Sequence, residues 1–378
     1  MKVIVLGAGL IGKAIAVDLN SRYDVTCSDI QLDKLELLSK EHRIKTKQAD
    51  FNDKKTLSQL LEPFDLVVSA VPGFMGYNLL KQIIENKKNC VDISFFPENA
   101  LELNSLAKEK NVTAIVDCGV APGLCNIIAG YHHSISKLNS YECLVGGLPK
   151  TREWPYEYKA VFSPIDVIEE YTRPARYLEN GKSVVREALS DPEYVFFKEI
   201  GTLESFNTDG LRTLAETMPD VPNMKEKTLR YPGHISLMKI LRDTGFFEKN
   251  KISINGQQIS PIELTSKLLF PKWKMEPDEE DFTIMQIILE NENECITYSL
   301  FDKKDIINNI SSMARTTAYT CTGAAELLLK GLYKSKGIIP PEFLGKDHQC
   351  FEYIINHLTK KNVVFTKETK QLKEQTII

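Results

Sequence analysis

No apolar run in this 378-residue chain approaches the ~20 residues that a membrane-spanning helix requires, so no span is expected. Long blocks of one charge sign are also missing. The formal net charge is −4 and charged residues make up 26% of the chain, which excludes a polyanion-binding tail and a nucleic-acid surface. No Cys-x-x-Cys pair occurs among the eight cysteines (27, 90, 118, 125, 143, 295, 321 and 350), and none has the spacing of a zinc site. Several lie within β-prone runs such as VTCSD and NCVDIS, so they read as reduced core thiols, and no metal is expected. Internal repeats and low-complexity tracts are absent too, leaving neither a solenoid nor a disordered linker to explain the length.

What is present is ample core material. Apolar residues make up 43%. At roughly 150 residues per domain, the length predicts two domains or one domain carrying a large insertion. The first strand-like run begins at residue 2, which leaves no room for a signal peptide ahead of it and leads to the expectation of a cytoplasmic protein.

The first 120 residues alternate strand and helix patterns. KVIVLG is followed by GLIGKAIAVDLNS, whose apolar residues recur at helical spacing. YDVTCSD, KTKQAD, FDLVVSAV, NCVDIS and NVTAIVDC supply five more strands, with helical patterns between them. Apolar strands separated by helices predict a doubly wound parallel sheet of the Rossmann type, because each crossover helix covers one face.

Gly7, Gly9 and Gly12 spell G-x-G-x-x-G between that first strand and helix. The first glycine permits a tight turn, the second lets backbone approach a pyrophosphate, and the third allows close helix-to-strand packing. Asp29 ends the second strand twenty residues after Gly9, where a carboxylate accepts hydrogen bonds from a ribose 2′-hydroxyl and repels a 2′-phosphate. No Arg follows directly in DIQLDK, so NAD is the expected cofactor. The residues expected to line it are Gly7, Gly9, Leu10, Ile11, Gly12, Asp29, Asp50, Ala70, Val71 and Pro72.

After about residue 135 the alternation becomes irregular. YECLVGGLP, YKAVFS, YVFFKEIG, EKTLRYPGH, KISINGQQI, FTIMQIILE and CITYSLFD read as strands of a mostly antiparallel sheet in an α+β substrate domain, and KWKMEPDEED as a solvated loop. SSMARTTAYTCTGAAELLLKGL reads as a long helix rich in small residues, suited to packing on another layer. The expected organisation is a nucleotide domain over 1–130, a substrate and dimerisation domain over 131–310, a helix returning to the nucleotide domain over 311–345, and a C-terminal segment over 346–378.

Taken in order, LGAGLIGKAIAVDL, DCGVAPGLCNIIAGY, VGGLP with EYKAVFS, GTLESFNTDGLRTL, KTLRYPGH and MARTTAYTCTGAAELL with GIIPPE resemble the saccharopine dehydrogenase superfamily. Within it they are most similar to the L-lysine 6-dehydrogenases. Saccharopine-type members carry an acid directly before the Pro-Gly and an Asp-His pair three residues later; here Ala121, Cys125 and Asn126 stand at those places. The resemblance implies NAD-dependent oxidative deamination of the lysine ε-amine to the 6-semialdehyde, a small-molecule substrate and a homodimer. Two alternatives stay open: a reductase joining an amine to a carbonyl compound, as saccharopine or carboxynorspermidine dehydrogenases do, and a non-catalytic NAD-binding sensor or scaffold.

A lysine ammonium must lose its proton before hydride can leave, so a base is needed near the cofactor. Asp117, expected at the end of the sixth strand, and His234, in YPGH, are the candidates. Arg230 is expected to hold the substrate α-carboxylate, since an Arg fork can bind it through two parallel hydrogen bonds. Arg212 and Arg315 are rival anchors, and Tyr231, Asp209 and Asn126 are further substrate-contact candidates.

Overall fold

The computed structural model describes residues 1–372; residues 373–378 of the expected C-terminal segment lie outside it. The chain divides into two compact units, and it enters each of them twice. Unit 1 comprises Met1–Ser136 and Ala314–Val364, and unit 2 comprises Lys137–Met313 with residues 365–372. Among the described residues no helix is long and apolar enough to cross a membrane.

The first part of unit 1 runs β1 (Lys2–Leu6), α1 (Leu10–Asn20), β2 (Asp24–Asp29), α2 (Leu32–His42), β3 (Lys45–Gln48), α3 (Lys54–Leu61), β4 (Leu66–Ser69), α4 (Gly73–Glu85), β5 (Asn89–Asp92), α5 (Asn104–Glu109), β6 (Thr113–Ile115) and α6 (Leu124–Ile135). These strands are the β-branched runs read from the sequence. Val3, Ile4, Val5 and Leu6 of β1 are all fully buried, as a central parallel strand covered on both faces requires.

Unit 2 contains β7 (Ser140–Pro149), α7 (Pro164–Thr172), β8 (Ala175–Glu179), β9 (Lys182–Arg186), β10 (Glu193–Phe197), β11 (Gly201–Asn207), α8 (Leu214–Thr217), β12 (Asn223–Arg230), α9 (His234–Asp243), β13 (Ile252–Ile254), β14 (Gln257–Ile259), α10 (Pro261–Trp273), β15 (Asp281–Glu290) and β16 (Glu294–Lys303). The chain then forms α11 (Ser312–Leu329), β17 (Gly337–Ile339), α12 (Pro341–Lys346), α13 (His348–Lys360) and β18 (Phe365–Gln371).

The sheet of unit 1 is wholly parallel, in the order β17-β6-β5-β4-β1-β2-β3. It is the doubly wound arrangement, with its reversal of strand order between β1 and β4. The sheet of unit 2 is mixed and mostly antiparallel, in the order β10-β11-β12-β7-β15-β16-β18, with β8 and β9 attached at β12. Only the β12–β7 pair in it is parallel.

Four expectations are corrected. KISINGQQI is not a strand of that sheet: β13 and β14 pair only with each other, in a separate two-stranded hairpin. YKAVFS is not a strand: it makes one isolated bridge, Ala160 to Lys274, and bends into the Pro164 that starts α7. The segment after residue 345 is not one piece, since α13 belongs to unit 1 whereas β18 pairs with β16 in unit 2. The sixth strand ends at Ile115 rather than at Asp117, which follows in a left-handed conformation at φ 49°.

Candidate active site

The glycine turn of unit 1 is shaped by what does not fit there. Gly7 has φ 106°, and a Cβ on it would lie 2.4 Å from the Ala70 carbonyl oxygen; one on Gly12 would lie 2.0 Å from that of Gly7. A Cβ on Gly9 would meet nothing within 4 Å, so the backbone there faces open space. The first turn of α1 carries no acid. Open backbone at the positive end of a helix is a seat for phosphate.

Asp29 closes β2 with one carboxylate oxygen accepting from the Ala8 N–H (2.7 Å) and the other from the Gln31 N–H (2.9 Å). Its orientation is thereby fixed beside the glycine turn. Leu10 is more than half exposed and Ile11 partly so, whereas Val71 is buried and Pro72 caps α4. Asp50 is exposed and accepts from the Asn52 backbone and side chain, both at 2.9 Å, so its carboxylate shapes the turn after β3. This set fits a dinucleotide: an open phosphate seat, a held acid at the second strand, and small residues at the end of β4.

Further along the same sheet edge, β5 and β6 bring two buried acids to their carboxyl ends. Asp92 is fully buried and Asp117 is 2% exposed. Asp92 accepts from the Ser94 N–H (2.9 Å) and the Ser94 hydroxyl (3.1 Å), and its main-chain carbonyl accepts from the Cys118 N–H (3.0 Å). Burial pushes the Asp92 carboxyl up to about 7, with the charge of Asp117 adding to the rise and the Ser69 and Ser94 hydrogen bonds opposing it. Asp92 was not singled out from the sequence, where it is one polar residue in the run NCVDIS.

Beyond Asp117 the chain turns through a cis Ala121–Pro122 bond and Gly123, at φ 134°, into α6. A Cβ on Gly123 would lie 2.0 Å from the Gly119 carbonyl oxygen, so only glycine closes this turn. Asn126 fastens it: its Oδ1 accepts from the Gly123 N–H (3.0 Å) and the Cys125 thiol (3.1 Å). The Asn126 Nδ2 is buried with no hydrogen-bond partner among the described residues.

Unit 2 gathers the RYPGH residues into a closed network. Arg230, 2% exposed at the end of β12, donates from Nε to the Tyr171 hydroxyl (3.1 Å), from one terminal nitrogen to the Leu229 carbonyl (3.0 Å) and from the other to Glu170. Its guanidinium also lies 4.6 Å above the Tyr158 ring. Every nitrogen is engaged within the protein, so the expected role in gripping a substrate carboxylate requires that Glu170 first be displaced. Glu170 and Tyr171 were missed because they lie about sixty residues from Arg230, and no local pattern marks the pairing.

His234 begins α9, with Nε2 hydrogen-bonded to the Tyr171 hydroxyl (2.9 Å) and Nδ1 to the Tyr156 carbonyl (2.8 Å). Burial, reinforced by the Arg230 charge, lowers its pKa to about 3. A neutral, doubly bonded imidazole is too weak a base for the expected role near pH 7. Tyr231 is buried and donates to the Pro149 carbonyl (2.9 Å), with Arg152 over its ring at 4.6 Å. Asp209 is committed to Arg176 through two parallel bonds of 2.9 Å. Arg212 is buried at φ 52°. Arg315, in unit 1, donates to the Lys361 carbonyl at 3.0 Å.

Comparison with known proteins assigns both halves of this arrangement. Residues 3–115 match the model of the saccharopine dehydrogenase NADP binding domain, and residues 119–364 match that of the saccharopine dehydrogenase C-terminal domain. The chain belongs to the saccharopine dehydrogenase family. Its relatives include the mitochondrial alpha-aminoadipic semialdehyde synthase of Rattus norvegicus, 24% identical over 97% of this chain and 48% of that protein. Another is the NADP(+), L-glutamate-forming saccharopine dehydrogenase of Saccharomyces cerevisiae, 25% identical over 71% of this chain and 64% of that protein. The chain thus spans about half of the first relative's length. A solved apo saccharopine dehydrogenase (L-Glu forming) from Saccharomyces cerevisiae superposes with a TM-score of 0.76 at 21% identity, covering 98% of this chain and 99% of that one, which shows a shared fold.

Proposed function

We propose that the protein is a nicotinamide-dependent oxidoreductase acting on a C–N bond, and that it oxidises the ε-amine of lysine with NAD, releasing ammonia and the 6-semialdehyde. The observation that carries this reading is the 121–126 turn. It is closed by Asn126 and the Cys125 thiol, with Ala121 before the proline, so the groups offered there are neutral where saccharopine-type members have acids and a histidine. A turn of that chemistry suits a smaller substrate than the tricarboxylic saccharopine. The saccharopine-type reading stands second, because the Saccharomyces cerevisiae relative named above carries that activity in its name.

A bound dinucleotide supplies the hydride acceptor. Gly9 and the start of α1 would hold its phosphates and Asp29 its adenosine ribose, where the carboxylate favours NAD by repelling a 2′-phosphate. The substrate ammonium, with an ordinary pKa of ~10.4, must be deprotonated, and Asp117 is the proposed acceptor of that proton now that His234 is held neutral. Water then hydrolyses the imine.

The test is a panel of lysine, cadaverine and saccharopine with NAD and NADP, followed by nicotinamide absorbance. Turnover of lysine with NAD is expected. Turnover of saccharopine alone overturns the substrate assignment, and cofactor binding with no turnover overturns the enzyme assignment in favour of a sensor. Asp29→Ser should weaken NAD and improve NADP relative to it; a wild-type preference for NADP overturns the role given to Asp29.

A further inference from the structure

The sheet edge of unit 1 holds more acid than one proton-accepting residue requires. By the general rule for doubly wound sheets, a dinucleotide crosses the carboxyl ends of the strands at the reversal of strand order, placing one nucleotide over β1 to β3 and the other over β4 to β6. Asp92 ends β5 and Asp117 follows two residues beyond the end of β6, on the second half. We propose that Asp92, beside the buried Asp117, holds a proton, and that releasing it to solvent makes unit 1 favour the oxidised, positively charged nicotinamide over the reduced one. The inference rests on the dinucleotide reading of unit 1 and not on the identity of the amine.

Four observations support it. Both side chains are nearly or fully buried, so two adjacent charges there repel through a medium of low polarity. The Cys118 N–H bond to the Asp92 carbonyl pins the segment bearing Asp117 to the strand bearing Asp92. The thiols of Cys90, Cys118 and Cys321, which feel the Asp92 charge, are each raised by burial, so they stay neutral at pH 7 while Asp92 changes charge. Finally, the turn after Asp117 holds the Asn126 Nδ2, a buried donor with no partner among the described residues, which a ligand carbonyl would satisfy.

Oxidised and reduced dinucleotides share adenosine and phosphates and differ at the nicotinamide ring, one positive and the other neutral. The ratio of their dissociation constants therefore isolates the charge that the protein presents to the ring. Since linkage is reciprocal, the oxidised form should expel the Asp92 proton near pH 7 and the reduced form should not.

The experiment is titration calorimetry of the full chain with NAD+ and NADH from pH 5.5 to 8.5, in two buffers of different ionisation heat. In the wild type, Kd(NADH)/Kd(NAD+) should rise about threefold or more through pH 7, with proton release on NAD+ binding alone. Asp92→Asn should flatten the ratio. Ser94→Ala removes a hydrogen bond to the ionised carboxyl and should move the inflection to higher pH, which keeps the idea testable should Asp92→Asn not fold. A flat wild-type ratio, an unchanged inflection in Asp92→Asn, or one that stays in place in Ser94→Ala overturns the proposal. If only NADP+ and NADPH bind, the NAD assignment fails on its own and the ratio is read with that pair.

Discussion

His234 and Asp92 are both buried, both shifted, and opposed in their effect on acid stability. His234 has an ordinary pKa of 6.5 and one of about 3 when folded, so the unfolded chain binds its proton more readily. Stability therefore falls as pH drops through that interval, by at most ~1.4 kcal/mol per pH unit. Asp92 runs the other way: the folded carboxyl keeps its proton up to about 7 against an ordinary 3.8, so its contribution rises as pH falls from 7 toward 3.8. The wild type shows the sum of both, and single variants separate them. His234→Gln should gain about 2 kcal/mol relative to wild type between pH 6.5 and 4.5, whatever its stability at neutral pH. Urea unfolding at the two pH values measures this, and a constant difference between variant and wild type shows that His234 is not held neutral. None of this was legible in the sequence, where a histidine after Pro-Gly looked like a base. The glycine turn was legible because its shape depends on residues close in sequence, and Asp29 because it ends a strand-like run at a fixed spacing from that turn. Arg230 was found, but its partner Glu170 was not, because it lies sixty residues away.

Short elements were the hardest to foresee. β17 is three residues long, too short for any periodicity, and it is a strand because β6 offers a free edge on which Ile338 aligns with Ala114. β18, FTKETKQ, has almost no apolar residue to mark it, and β16 makes it a strand in the same way. Long elements such as α11 carried their own pattern and appear where expected. The seam between α6 and α12 rests on two glycines that no sequence motif marks. A Cβ on Gly130 would lie 2.1 Å from the Glu342 carbonyl oxygen, and one on Gly345 would lie 2.0 Å from that of Ile127. Backbone blocks both, so the helices must part to admit a methyl group. Gly130→Ala should therefore lower stability by about 2 kcal/mol despite its better helix propensity. Gly323→Ala, in α11, is the contrasting case: its Cβ would only touch the His357 ring at 3.4 Å, and the propensity gain of roughly 0.8 kcal/mol should leave it neutral or stabilising. Thermal unfolding of the pair decides whether the seam is as tight as described.

Across the whole molecule, the decisive feature is that neither unit is a single stretch of chain. Removing everything from Ser311 onward takes α11, β17, α12 and α13 from unit 1 and β18 from unit 2 in one cut. The truncate should be insoluble or unable to bind NAD, and a well-folded, NAD-binding truncate would show that residues 1–136 suffice for the nucleotide fold. The alternation of strands and helices revealed the class of each unit, but the interleaving depends on pairings between residues more than two hundred positions apart, such as Thr113 with Gly337. The same interleaving sets a timetable on the ribosome. Translation proceeds at ~5–20 residues per second, so a nascent chain that has reached Ser136 waits on the order of 10–45 seconds before Val364 is made. During that time the edge of β6 has no partner strand and the face of α6 has no α12 against it. A chaperone that shields one open strand edge and one bare helix face should raise the yield of this protein more than one that acts only after release.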